Sequence, residues 1–103
     1  MQEYNVICDI VVVTYDIVPS LSPFVAGVCK IIQEDQKVEH MLTPMGSIVE
    51  GNFDDVMALI DRIFKAVAPE RERIGITVKM DYRRSKKNRM QGKVAAVEEK
   101  MNK

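Results

Sequence analysis

The sequence is poor in the residues from which metal centres and many catalytic sites are built. It holds one histidine, His40, and two cysteines, Cys8 and Cys29, in 103 residues. No His/Cys cluster has zinc-type spacing, so no metal is expected. The two thiols fall in an apolar strand pattern and a helical pattern, and both read as reduced packing residues of a cytoplasmic protein. Pairing Cys8 or Cys29 with His40 as nucleophile and base has no supporting motif, and neither a phosphate loop nor a dinucleotide fingerprint is present. Catalysis is therefore not expected. A long apolar run is also missing. The apolar runs, Ile10 to Val13 among them, are all far short of the ~20 residues of a membrane span. The opening MQEYNV has no basic region followed by an apolar stretch, so a secretory leader is not expected either. An excess of one charge is lacking too: 15 basic and 15 acidic side chains cancel. No long-range field then draws the chain to nucleic acid or to an anionic membrane.

What is present is the pattern of one globular domain, residues 1–103, large enough to fold without disulfides or metal. Asn5 to Tyr15 is rich in Val, Ile, Thr and Tyr and predicts a strand. Ser20 or Ser22 is placed to cap a helix that starts at Pro23, with Val25, Val28, Cys29 and Ile32 along one stripe. Lys37 to Thr43 predicts a second strand, Pro44-Met45-Gly46 a turn, and Ser47 to Glu50 a third strand. Asn52 is a natural N-cap for a helix carrying Phe53, Val56, Met57, Ile60, Ile63, Phe64 and Val67, which Pro69 ends. Arg73 to Tyr82 alternates as a fourth strand. The order β-α-β-β-α-β predicts a ferredoxin-like α+β sandwich, with both helices on one face of a four-stranded antiparallel sheet and a short C-terminal helix after it.

The first strand is apolar on both sides: Val6, Cys8, Ile10 and Val12 alternate with Ile7, Val11 and Val13. Two helices cover one face only, so a second subunit is expected on the other, giving a homo-oligomer. The alternative is that the tail after Tyr82 folds back over that face. The tail opens with a basic run, Arg83, Arg84, Lys86, Lys87 and Arg89, which is read as a solvated loop because no aromatic residues are interleaved with it. Met90 to Met101 follows as a short amphipathic helix expected to dock on a neighbouring subunit.

Polar residues that could line a small pocket gather at the hairpin: Thr43, Ser47 and Glu50. Ser20 and Ser22 stand at the first helix start, where free N–H groups can hold an acceptor. For the hairpin residues a structural role weighs as much as a ligand role, and Asp9 with Lys79 is expected to be a cross-strand pair.

The runs LTPMGSIVEG, FDDVMALI, ITVKMDYR and MQGKVAAVEE, in that order, resemble the thiamine-binding protein family, also known as UPF0045 or DUF77. The resemblance implies a ferredoxin-like subunit, a dimer-of-dimers homotetramer, and binding of thiamine or its hydroxymethylpyrimidine portion without catalysis; no other cofactor is implied. Carried to matching positions, it favours Thr43, Ser47 and Glu50 as pocket residues, with Ser20 and Ser22 beside them. The chain departs from the family pattern at TYDIVPSLSPF, which has no glycine where relatives usually carry a Pro-x-Gly-Thr type segment. An aminopyrimidine needs hydroxyls, backbone groups and a carboxylate in an otherwise apolar slot. Glu50 would accept from its amino group and Thr43 or Ser47 would serve a ring nitrogen. Phe24 or Tyr82 would offer a face to the thiazolium. Two other readings stay open: a structural or regulatory homo-oligomeric assembly protein with a different small-molecule ligand or none, and an enzyme using His40 or a shifted carboxylate.

Overall fold

The computed structural model describes residues 4–84 and 89–102. The elements run β1 (Asn5–Thr14), α1 (Ser22–Glu34), β2 (Glu39–Thr43), β3 (Gly46–Asn52), α2 (Phe53–Val67), a 3₁₀ turn (Ala68–Glu70), β4 (Ile74–Tyr82) and α3 (Arg89–Met101). The strands form one sheet in the order β2-β3-β1-β4, antiparallel at every junction. This is the ferredoxin-like α+β arrangement expected from the sequence. Among the described residues no helix is long and apolar enough to cross a membrane.

The core lies between the sheet and the first two helices. Val6, Cys8 and Ile10 of β1 and Val49 of β3 meet Val28 and Ile32 of α1 and Val56, Leu59 and Ile63 of α2. The α2 residues recur at three and four positions, so one stripe is buried while the opposite side stays wet. Asp54 and Asp55 lie in its first turn and Lys65 in its last, each on the side the helix dipole favours. Pro69, which cannot donate to the ladder, falls in the tighter turn that closes the helix.

Both expected helix caps differ in detail. Asn52 stands at the N-cap position of α2 but its side chain makes no cap bond. Its Oδ1 instead accepts from the Tyr4 N–H at 3.1 Å, while the Phe53 N–H donates to the Tyr4 carbonyl at 2.7 Å. The cap residue thus clamps the start of β1. In α1 the N-cap position is taken by Leu21, without a side-chain bond, and the helix begins one residue early at Ser22. Ser20 Oγ accepts from the Ser22 N–H at 3.2 Å, a local turn that competes with capping.

The sheet face turned away from α1 and α2 carries Ile7, Asp9, Val11 and Val13, as the alternation of β1 requires. Here the terminal helix does part of what a second subunit was expected to do. Met90, at the start of α3, is buried at 5% exposure. Its N–H donates to Glu50 Oε1 at 3.0 Å, and Lys93 Nζ pairs with Asp81 Oδ2 at 2.7 Å. The rest of α3 is not covered: Val94, Val97 and Met101 are exposed, as are Val13 and Met41 of the sheet. Asp9 and Lys79 stand opposite each other in the ladder, but among the described residues no hydrogen bond or ion pair joins them, so the expected cross-strand pair does not form. Of the basic run, Arg83 and Arg84 are exposed, while Lys86 and Lys87 lie outside the described residues.

Candidate functional site

The Pro44-Met45-Gly46 turn is locked by its own threonine. Thr43 Oγ1 donates to the Gly46 carbonyl at 2.9 Å and accepts from the Met45 N–H at 3.2 Å. Gly46 is required by close approach: a Cβ there would lie 3.0 Å from both the Ile10 carbonyl oxygen and Val11 Cγ2. The hairpin therefore enters the sheet tight against β1, and a cleft of about 230 Å³ opens beside it. Its walls are the end of β1 from Ile10 to Val13, the turn from Leu42 to Ser47, and Val25, Val28 and Cys29 of α1. Ser47 pairs in register with Ile10 and Leu42 and so points to the helix side. It is 7% exposed, and among the described residues its hydroxyl has no hydrogen-bond partner.

A second cleft, about 300 Å³, lies at the other end of β3 between Asn5, Glu50, Gly51 and the segment Gln36 to Glu39. Glu50 is buried at 4% exposure. Its Oε2 accepts from Asn5 Nδ2 at 2.8 Å and its Oε1 from the Met90 N–H at 3.0 Å. The five residues expected to form one pocket are thus divided. Thr43 and Ser47 line the turn cleft, Glu50 lines the second cleft at the other end of β3, and Ser20 and Ser22 line neither. The aromatic faces are engaged as well. Arg71 lies over the Phe24 ring at 5.2 Å, and Tyr82 meets the Tyr4 ring edge-on at 5.8 Å. Sequence reasoning passed over the α1 wall of the turn cleft, Val25, Val28 and Cys29; its signal was the stripe itself, which ends in an exposed Val25.

His40 lines neither cleft. Among the described residues no group of three His, Cys, Asp or Glu side chains is placed to hold a metal ion. A wide groove between α1 and α2 contains the Asp35–Arg62 ion pair. Burial pushes the Asp35 carboxyl up, but the Arg62 guanidinium and the N–H groups of Lys37 and Val38 outweigh it and hold the group below its ordinary value. Asp35 is the C-cap residue of α1, so this pair ties the end of α1 to α2.

Comparison with known proteins agrees with this architecture. A family model described as thiamine-binding protein matches residues 8–98. The UPF0045 protein YqgV of Bacillus subtilis (strain 168) is 35% identical over 83 residues, 77% of this chain and 80% of the relative. The solved structure of MJ1052 from Methanocaldococcus jannascii superposes with a TM-score of 0.82 at 20% identity, covering 92% of this chain and 97% of that one. TM0486 from Thermotoga maritima, a proposed thiamine biosynthesis/salvage protein, gives 0.75 at 16% identity over 88% and 98%. At those identities the two structures speak for the fold alone. The family match runs from the middle of β1 into α3 and a curated relative is 35% identical over 83 residues, so the chain belongs to the thiamine-binding protein (UPF0045) family.

Proposed function

We propose that the protein binds thiamine or its hydroxymethylpyrimidine moiety without transforming it, as a homotetramer built from two dimers in the cytoplasm. The observation that carries this reading is the turn cleft, an apolar slot lined by Ser47, a residue 7% exposed whose hydroxyl has no hydrogen-bond partner among the described residues and is open to the cleft. A cleft of about 230 Å³ is below the roughly 300–1,000 Å³ of pockets that enclose drug-sized ligands. It suits the flat pyrimidine half, leaving the thiazolium at the mouth. The family description and the proposed salvage role of TM0486 favour the same ligand. Binding without reaction fits a cleft lined by Cys29 but not by His40. The exposed apolar residues of the open face and of α3 favour further subunits as their cover.

The test is a thermal-shift titration with thiamine, hydroxymethylpyrimidine and thiamine phosphate, with the mass followed by light scattering. A ligand at a hundred times its Kd adds about 2.7 kcal/mol to the native state. For a domain of this size that raises Tm by roughly 10 °C or more. A saturable rise on a tetramer is the expected result. A tetramer with no rise would leave assembly, with a different ligand or none, as the function.

A further inference from the structure

β1 outruns its neighbour on one side. Its pairing with β4 continues to Thr14 opposite Ile74, whereas its pairing with β3 stops at Ile10 opposite Ser47. In an antiparallel ladder each residue turns its N–H and C=O to the same side, and successive residues alternate. Both ends of β1 fix which side is which. The Tyr15 N–H donates to the Arg73 carbonyl, toward β4, at 3.0 Å, and the Tyr4 carbonyl accepts from Phe53, toward β3, at 2.7 Å. Even-numbered residues therefore face β3. Val12 is the first of them beyond the last paired residue, and where β3 would continue there is the turn cleft. Among the described residues no backbone bond joins Val12 to the turn, and Val12 lines the cleft.

An extended residue with both groups unpaired offers a donor and an acceptor side by side. That pair is complementary to a ring nitrogen flanked by an amino group: the ring nitrogen accepts from the N–H and the amino group donates to the C=O. The cleft supplies the other requirements. Val28 and Cys29 give one apolar wall for a flat ring, and the Ser47 hydroxyl remains for one further polar substituent. We infer that the Val12 backbone is the recognition edge for the aminopyrimidine, whose ring lies in the plane of the sheet and continues β3. This rests on the pyrimidine-binding function proposed above and names the groups that would select the ligand. It also removes the amino group from Glu50, whose two oxygens already accept from Asn5 and Met90. The selectivity follows. In the oxo analogue a carbonyl replaces the amino group and the ring nitrogen carries a proton, so acceptor faces C=O and donor faces N–H.

The experiment is an amide NMR titration of the full chain with hydroxymethylpyrimidine and with its oxo analogue, repeated on Ser47→Ala. The amino form should shift the Val12 amide and slow its hydrogen exchange. The oxo form should bind at least about 100-fold more weakly. Ser47→Ala, with its thermal melt checked, should weaken the amino form by about 3- to 10-fold. Saturation by the amino form with the Val12 amide unmoved and the Asn5 and Gly51 amides shifted would place the ligand in the Glu50 cleft, overturning the Val12 edge while the pyrimidine-binding function stands. If neither hydroxymethylpyrimidine nor thiamine saturates the chain, that function falls and the Val12 edge falls with it.

Discussion

Replacing Glu50 by alanine should release α3 before it unfolds the sheet. The carboxylate accepts at least two hydrogen bonds, from the Asn5 amide and from the Met90 N–H, and is 4% exposed. Hydrogen bonds to a charged group contribute about 1.5–3 kcal/mol each, so the pair is worth about 3–6 kcal/mol before the cost of burying the charge is subtracted. The loss is bounded, however, by the docking energy of α3, because water reaches the orphaned N–H once the helix lifts. Among the described residues that docking otherwise rests on one buried methionine, about 1.5–3 kcal/mol, and on the half-exposed Lys93–Asp81 pair, which contributes no more than about 1 kcal/mol. A helix of 13 residues is marginal alone in water. Hydrogen exchange read by mass spectrometry should therefore show α3 losing protection in Glu50→Ala while α2 keeps it, with Glu50→Gln between the two. Unchanged protection of α3, or loss across α2 and α3 together, would refute the assignment of Glu50 as the anchor of that helix.

Other consequences are equally direct. Leu59, at 0% exposure, should cost about 2.7–5 kcal/mol when cut to alanine, read as a fall in the urea midpoint at constant slope. Gly46→Val should destabilise the hairpin because the new Cβ meets the Ile10 carbonyl at 3.0 Å, and a melt above that of wild type would contradict it. The lowered Asp35 carboxyl contributes stability above its unfolded value of about 3.9 and loses it as pH falls through the folded value. Asp35→Asn should accordingly be less stable than wild type at neutral pH, with the gap closing in melts taken below about pH 4. Cys8 is buried and its thiol is pushed up by that burial, so Cys29 should be alkylated first in the native protein.

Much of the fold is written in local pattern. The stripe Val56, Ile60, Ile63 places α2 to within a residue or so, and Pro44 with Gly46 marks the turn. The two-sided apolarity of β1 announces a covered second face. What covers it is not local: the Met90–Glu50 bond joins residues 40 apart in sequence, and nothing in either neighbourhood announces the partner. The candidate site was legible in part. Ser47 and Glu50 are three residues apart on one strand, and a period of two sends them to opposite faces, which already forbids a shared pocket. The Ser20 hydroxyl accepts from the Ser22 N–H at the start of α1, and Thr43 serves its own turn. The unpaired edge at Val12 depends on where β3 begins, a matter of register that composition does not carry.

The central claim, that this chain holds an aminopyrimidine, is tested most directly by calorimetric titration of hydroxymethylpyrimidine into the wild-type protein. The account predicts saturable binding with one ligand per chain. The absence of saturable heat at any temperature tried, with thiamine and thiamine phosphate giving the same result, would contradict it.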